Sequence, residues 1–243
     1  MNQLHSLVQL KTGMLKSNRG YGVSGQLDEV TGVVLGTSLQ SVYIGEICNI
    51  RLQSGRTVRA EVIGFKNGRT LLMPYGYTEG LHPGARVEST GRQLTMCCHD
   101  GLRGMVLDGF GRCIQSDNSR KVMSSHSTHR RVCADAPDPL SRRKISTPIH
   151  TGIAAIDGLL TMAEGQRVGI FAAAGTGKST LLGQIAQHAD ADVIVLNLIG
   201  ERGREVREFL EDNLGSEGMK KSVVVVATSD QPAIARLKSA YTA

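Results

Sequence analysis

The residues best suited to chemistry lie in a short glycine-containing loop between two apolar segments. Before the loop, the apolar run Val168–Ala172 predicts a buried parallel strand. After it, apolar residues recur at helical spacing, and Lys178 and Ser179 stand at the start of the predicted helix. Strand, glycine loop and helix in this order, with Lys-Ser at the helix start, is the arrangement of a phosphate-binding loop.

Phosphate chemistry explains the residue types in this loop. Gly175 and Gly177 let backbone N–H groups converge on a triphosphate, and the N-terminus of the following helix adds positive potential. Lys178 is predicted to reach the β- and γ-phosphates, and the Ser179 hydroxyl to bind Mg²⁺. The first position of the G-x-x-x-x-G-K-[ST] pattern is Ala172, so an ordinary strand-to-helix turn is the alternative.

A second candidate group follows the next apolar run, Asp192–Ile199, which predicts another buried strand. Glu201 and Arg202 come directly after it, at the strand end that faces the ligand in open α/β sheets. Because γ-phosphate hydrolysis needs a group that orients the attacking water, Glu201 is the predicted catalytic carboxylate and Arg202 a phosphate contact. The alternative for Glu201 is a surface salt bridge with the arginine-rich helix that follows.

Asp230 is a weaker candidate for a further Mg²⁺ ligand. It follows a third predicted strand, Ser222–Thr228, but polar or small residues separate it from the valines. The sequence therefore favours a structural role, in which Ser229 or Asp230 caps a helix that carries Pro232 in its first turn.

The elements that position these groups alternate between strands and helices. Short helices are predicted within Gly152–Leu160 and over Gly203–Leu214, in addition to the helix after the loop. This alternation predicts an α/β fold with a parallel sheet.

The preceding part of the chain has short alternating runs separated by glycines. These predicted strands are Tyr21–Leu27, Gly32–Leu39, Ser41–Leu52, Thr57–Phe65, Thr70–Met73 and Arg86–Thr90. Asn67 and Gly68 lie between two of the runs and predict a tight hairpin turn. Strands at this spacing predict a small β-barrel or sandwich. His82, in a Leu-His-Pro-Gly sequence, is interpreted as a turn residue rather than a metal or acid–base group.

Composition and charge argue against several classes of protein. No run approaches the roughly 20 apolar residues that span a bilayer, and the N-terminus lacks the pattern of a secretory signal. The five cysteines have no metal-site spacing, which indicates reduced thiols in a cytoplasmic protein. The net charge of +6 is compatible with an anionic partner such as nucleic acid or lipid headgroups. Since no basic stretch interleaves with aromatic residues, solvated surface charges are the favoured interpretation.

Three segments together resemble the ATPase of bacterial type III secretion, which is similar to the flagellar export ATPase and to the β subunit of rotary ATP synthases. They are PIHTGIAAIDGLLTMAEGQRVGIFAAAGTGKSTLLGQIA, LNLIGERGREVREFLEDNLG and KSVVVVATSDQPAIARLKSAYTA. The segment GLRGMVLDGFGR also matches the turn before the family's core domain. The resemblance extends from about residue 20 to the last residue, and details of the first and third segments favour the injectisome branch.

The resemblance implies a RecA-like P-loop core with a parallel sheet, incomplete here, behind an N-terminal β-barrel. It implies ATP and Mg²⁺ as cofactors, with Lys178 as a catalytic phosphate contact, Ser179 as the metal ligand, Glu201 activating water and Arg202 near the γ-phosphate. The implied nucleotide-binding residues are Ala173, Ala174, Gly175, Thr176, Gly177, Lys178, Ser179 and Thr180.

The domain organisation that follows has four parts. They are a poorly ordered N-terminus at 1–19, the barrel at 20–92, a connecting segment and linker at 93–147, and the N-terminal part of the ATPase core at 148–243. The resemblance further implies a homo-hexameric ring at the cytoplasmic face of the inner membrane, associated with it peripherally. Its partners would be stator and stalk proteins, export chaperones and effector proteins, and no nucleic acid is expected.

The sequence departs from the family pattern in three places, which affects the activity we expect. Cys113 replaces the usual proline, the linker 115–136 differs, and the sequence ends at Ala243. In the family the second Mg²⁺ ligand, the arginine donated to a neighbouring subunit and a C-terminal helical domain lie further on. We therefore expect a truncated form with impaired hydrolysis and an uncovered sheet edge. The alternatives are a hexameric RNA- or DNA-dependent motor, which the basic charge supports, and a non-catalytic oligomerisation module.

Overall fold

A computed structural model describes residues 22–114, 127–173 and 175–243. These residues fall into two compact units, of which the first ends at Gln93 and the second begins at Leu94. The predictions for residues 1–19, for 115–126 of the linker and for Ala174 lie outside the described residues.

The first unit is a closed six-stranded barrel. Its strands are β1 (Ser24–Thr31), β2 (Val34–Thr37), β3 (Glu46–Arg51), β4 (Thr57–Lys66), β5 (Arg69–Pro74) and β6 (Arg86–Gln93). They pair in the order β1-β2-β5-β4-β3-β6, and antiparallel pairing of β6 with β1 closes the barrel. The predicted barrel is therefore confirmed, and the sandwich alternative is not found.

Alternation of apolar residues along the strands fills the barrel interior. Leu35, Ile50 and Leu72 are completely buried within one apolar cluster. The predicted hairpin is confirmed, since Asn67 and Gly68 join β4 to β5 with φ of 51° and 75°.

The second unit contains seven strands among the described residues. They are β7 (Thr95–Cys98), β8 (Val106–Asp108), β9 (Thr128–Arg131), β10 (Pro148–Ile149), β11 (Met162–Ala163), β12 (Ile194–Ile199) and β13 (Ser222–Ala227). The central sheet is parallel, in the order β12-β13-β8. Two small antiparallel ladders, β7 with β9 and β10 with β11, lie outside it. The parallel sheet confirms the predicted α/β class, although β8 comes from the stretch expected to be a connection.

Five α-helices and a π-helical turn complete the described part of the second unit. They are α1 (Ala154–Leu159), α2 (Lys178–His188), α3 (Gly203–Glu208), a π-helical turn (Phe209–Leu214), α4 (Gly215–Lys221) and α5 (Ala233–Thr242). Single 3₁₀ turns occur at Asp100–Leu102 and Pro139–Ser141. Phe209 and Leu214 pack with Val224 of β13 in the apolar core of the unit. Within the described ranges, every helix is too short or too polar to cross a bilayer.

The prediction of a buried strand at Val168–Ala172 is wrong. The segment has irregular backbone, and Val168 and Phe171 are 50% and 95% exposed. A strand depends on a hydrogen-bonding neighbour, whereas the described strands of the central sheet pair only with one another. Without such a neighbour, the apolar sequence of this segment is insufficient to form a strand.

The predicted cap of the last helix is also wrong. Helix α5 begins at Ala233, with Pro232 at the N-cap position and no capping side chain. Pro232 has an extended ψ of 145°, so the helix can begin only after it. The Asp230 carboxylate instead accepts a hydrogen bond from the Thr228 side chain, which lowers the pKa of Asp230.

Candidate functional site

The two glycines just before α2 have left-handed backbone conformations. Gly175 and Gly177 have φ of 76° and 89°, and a Cβ atom at either position would meet no atom within 4 Å. The Ala173 carbonyl accepts hydrogen bonds from Thr176, at 3.4 Å from its backbone N and 2.8 Å from its Oγ1. Glycine is therefore required here by backbone conformation rather than by lack of space.

The start of α2 is open to solvent. Gly177 occupies the N-cap position without a side-chain cap, and the first N–H groups of a helix have no partner within it. The side chains of Lys178, Ser179 and Thr180 are exposed and make no hydrogen bond or ion pair with any described residue. Backbone donors, an ammonium group and two hydroxyls are thus presented together, which suits a polyphosphate.

The C-terminal half of α2 packs closely against the π-helical turn of the second unit. A Cβ on Gly183 would lie 2.5 Å from the Asn213 carbonyl oxygen, so the helix approaches the π-helical turn very closely. The Gln187 amide donates to the carbonyls of Asn213 and Leu214, at 2.8 and 3.1 Å. These contacts fix the helix that carries the loop.

A second anchor ties the segment before α1 to the end of α2. The Asp157 carboxylate accepts bonds from Thr151 N at 2.8 Å, Thr151 Oγ1 at 2.7 Å and Gly152 N at 3.1 Å. The bonds from Thr151, backbone first, lower the pKa of Asp157. Gly152 has φ of 76°, and a Cβ there would collide with His188. In the sequence, Thr151, Gly152 and Asp157 belong to the first family-like segment, but their residue types do not reveal this contact.

The carboxyl ends of β12 and β13 are joined by backbone bonds around the second candidate group. Gly200 N donates to the Ala227 carbonyl at 2.7 Å, and Ser229 N donates to the Glu201 carbonyl at 3.1 Å. Glu201 therefore stands at the strand end where the sequence placed it, held by its main chain.

The side chains of this group differ in their contacts. Arg202 lies 3.7 Å from the Glu205 carboxylate in an exposed pair. The Glu201 carboxylate makes no ion pair or hydrogen bond with a described residue, so the salt bridge considered for it is not found. Within the described ranges, no hydrogen bond or ion pair joins the loop to Glu201 or Arg202.

Magnesium requires oxygen ligands and usually keeps several waters and substrate phosphates. The exposed Ser179 hydroxyl can supply one such ligand. Within the described ranges, no three His, Cys, Asp or Glu side chains are grouped as a metal site. A single hydroxyl of this kind fits an ion whose other oxygen ligands come from water and bound phosphates.

A cavity of about 610 Å³ lies elsewhere in the second unit. Its lining comprises Val106, Ile114, Gly203, Val206, Arg207, Leu210, Glu211, Gly215, Ser216, Met219 and Val226. None of the predicted site residues is among them, so this groove is separate from the loop.

Both units match domains of one known protein family. The ATP synthase alpha/beta family, beta-barrel domain, matches residues 28–91, and the nucleotide-binding domain of the same family matches residues 152–243. The flagellum-specific ATP synthase of Bacillus subtilis is 46% identical over 90% of this chain and 50% of that protein. The type 3 secretion system ATPase of Xanthomonas euvesicatoria is 45% identical over 98% of this chain and 52% of that protein.

A solved structure agrees with the sequence relatives. The assembled ATPase EscN of the enteropathogenic E. coli type III secretion system matches with a TM-score of 0.78 and 40% identity, over 90% of this chain and 51% of that one. A second EscN structure includes its central stalk EscO and matches equally well. The chain spans about half the length of these relatives. It belongs to the ATP synthase alpha/beta family, with type III secretion and flagellar ATPases as its relatives.

Proposed function

We propose that this chain provides the nucleotide-binding part of a type III secretion ATPase. The observation that carries the proposal is the loop with two left-handed glycines before α2, which exposes Lys178, Ser179 and Thr180 at the helix start. The loop lies in the part of the chain that matches the nucleotide-binding domain of the family. Flagellar and secretion relatives have nearly equal identities, so assignment to the injectisome branch rests on the sequence details alone.

Each site residue has a role in this proposal. Backbone N–H groups of 173–177 and the Lys178 ammonium hold the phosphates of ATP, and the charge of Lys178 offsets the negative charge of the γ-phosphate. Mg²⁺, held by Ser179 and the phosphates, would supply further charge neutralisation. Glu201 orients the attacking water through its carboxylate, and Arg202 contacts the γ-phosphate after leaving its weak pair with Glu205.

The biological setting is proposed from the relatives. EscN is described as an assembled ATPase and as a complex with a central stalk. We infer for this chain a place in a homo-hexameric ring with a stalk and a stator, at the cytoplasmic face of the inner membrane. The work of such a ring would be release of chaperones from effector proteins and unfolding of those proteins. Because the chain spans half the relatives' length, we expect slow hydrolysis by the chain alone.

Binding of Mg-ATP to the purified chain, measured by calorimetry, tests the proposal. Lys178→Ala should weaken binding about tenfold or more, since a phosphate-contacting charge is lost. Lys144→Ala, at another exposed lysine, is the control and should bind as the unmodified chain does. Equal binding by the Lys178→Ala protein would overturn the assignment of the loop.

Turnover measured in the same samples tests Glu201. Any hydrolysis by the chain should fall by roughly 100-fold in Glu201→Gln while ATP binding is kept, because a neutral amide orients and activates the attacking water less well than a carboxylate. Hydrolysis that is unchanged in Glu201→Gln would remove this residue from the mechanism. The non-catalytic module would become the better description if the chain assembled with an intact relative but bound no ATP.

A further inference from the structure

A cysteine and a lysine that are far apart in the sequence meet in the second unit. The Lys238 ammonium, on α5, donates a hydrogen bond to the sulfur of Cys133, just after β9, with 3.3 Å between Nζ and Sγ. The Cys133 side chain is a free, exposed thiol, whereas Lys238 is only 6% exposed. The contact therefore places a nucleophilic nitrogen, shielded from solvent, beside a sulfur that small molecules can reach.

Packing of α5 holds Lys238 in this position. The helix lies against the turn at 108–112, where Thr242 Oγ1 donates to the Gly109 carbonyl at 2.8 Å. A Cβ atom on Gly109 would lie 2.3 Å from the Ala235 carbonyl oxygen, so the approach is very close. Ala235, Lys238 and Thr242 are three and four residues apart and are all buried, which places the lysine on the packed face of the helix.

The backbone that carries the sulfur is held separately. Strand β9 pairs with β7 up to Arg131, and the next residue, Val132, donates its N–H to the Leu94 carbonyl at 2.9 Å. Val132 is 5% exposed, and Cys133 follows it directly. Because both groups lie on anchored segments, reaction between them competes well with attack on the sulfur by a dissolved molecule.

We propose that Cys133 and Lys238 form a covalent sulfur–nitrogen bridge when a hydroperoxide oxidises the cysteine. With hydrogen peroxide, the sulfur attacks one peroxide oxygen and gives up two electrons, the O–O bond breaks, and the products are a sulfenic acid and water. The Lys238 ammonium then loses a proton to solvent, and its Nζ lone pair attacks the sulfur. The S–O bond breaks, and the leaving hydroxide takes a second proton from the nitrogen, which leaves a sulfenamide and water.

The bridge closes a long loop of the second unit. Cys133 and Lys238 are 105 residues apart, and the chain between them includes α2, β12 and β13. A cross-link over a long loop restricts the unfolded chain, so the oxidised protein resists unfolding more than the reduced one. Two molecules of a small thiol reverse the reaction, since they restore the thiol and the amine and become a disulfide. The inference is independent of nucleotide binding.

Treatment of the 243-residue chain with hydrogen peroxide, followed by proteolysis and mass spectrometry, tests the bridge. We expect a linked pair of peptides that contain Cys133 and Lys238. Its mass should be about 2 Da below the sum of the separate peptides, because two hydrogen atoms are lost. Dithiothreitol should separate the pair, and the oxidised chain should unfold at a higher urea concentration than the reduced chain.

Variants of the two residues identify the reacting atoms. Lys238→Met removes the nitrogen and Cys133→Ser removes the sulfur, while each keeps a side chain of similar size. Neither should give the linked pair or the shift in urea concentration. Cys113→Ser is the matched control, because Cys113 is another exposed thiol of the same unit, and this variant should form the bridge as the unmodified chain does.

Two results on the unmodified chain would overturn the inference, whatever the folding of the variants. One is oxidation of Cys133 without a linked pair. The other is a linked pair that forms equally well in urea-unfolded chain, since the folded contact would then not be its cause. Failure of ATP binding in a chain that forms the bridge would contradict the proposed function and leave this inference standing.

Discussion

The barrel and the parallel sheet differ in how their strands are completed. Each of the six barrel strands has two hydrogen-bonding neighbours within the first unit, and the interior reaches 0% exposure at several positions. In the second unit β12 has one neighbour, and the predicted strand at 168–172 has none among the described residues. Both units bury apolar residues, but in the second an apolar segment expected to form a strand is left unpaired among the described residues.

The difference shows how topology governs burial. Three of the six barrel pairings join consecutive antiparallel strands, such as β4 with β5 through a two-residue turn. The strands of the sheet β12-β13-β8 are all parallel, so each pairing needs a crossover connection. Closure leaves a barrel without an edge strand, whereas an open parallel sheet always has two edge strands with one hydrogen-bonding neighbour each.

The largest expected effect comes from the barrel interior. Leu35→Ala should lower the free energy of unfolding of the barrel by about 2–5 kcal/mol, because a fully buried side chain leaves a cavity. Leu237→Ala, at a leucine that is 57% exposed on α5, should change the stability of its own unit by less than about 0.5 kcal/mol. Urea unfolding followed by circular dichroism measures both. Equal losses of unfolding free energy in the two variants would contradict the contrast between the buried barrel interior and the exposed face of α5.

The next effect concerns the packing of the loop helix. Gly183→Ala should destabilise the second unit by about 1–3 kcal/mol, since the new methyl group would collide with the Asn213 carbonyl. Gly158→Ala, in α1 with no atom within 4 Å of the new Cβ, should stabilise by up to about 1 kcal/mol. Thermal unfolding compares the two, and a neutral Gly183→Ala would show that α2 is free to move.

A smaller effect is expected at the hairpin of the barrel. Gly68 has φ of 75°, where an alanine is strained, so Gly68→Ala should lower barrel stability by about 1 kcal/mol. Gly64→Ala, in β4 with open space around the Cβ, provides the control. If both variants unfolded at the same urea concentration, the turn would not be important for closing the barrel.

The smallest effect is a pH dependence in the second unit. The pKa of Asp157 is lowered by its bonds from Thr151, so its ionised form is stabilised by folding. This contribution is present above the ordinary aspartate pKa of about 3.9 and is lost as the pH falls through the lowered value. Asp157→Asn should therefore lower the melting temperature at pH 7 and have little effect at the most acidic pH at which the protein remains folded. Asp192→Asn, whose carboxylate has no bond to a described residue, should show no such difference.

The local features were predictable because they depend on neighbouring residues. The turn at Asn67-Gly68 requires φ above zero at two successive residues, which these residue types adopt readily. The loop and the helix start at Lys178 follow from glycine spacing and apolar periodicity in the same way. The roles of Lys178, Ser179, Glu201 and Arg202 remain predictions until the binding and turnover measurements are made.

The tertiary structure decided the features that join distant segments. Residue types alone could not show that β8 pairs with β13 more than 100 residues later, or that Gly183 meets Asn213. They also predicted strand 168–172, which the structure lacks, because hydrophobicity favours burial without specifying a hydrogen-bonding partner. Local propensity and periodicity act over a few residues, whereas backbone pairing in a parallel sheet depends on strands that the chain brings together only by folding.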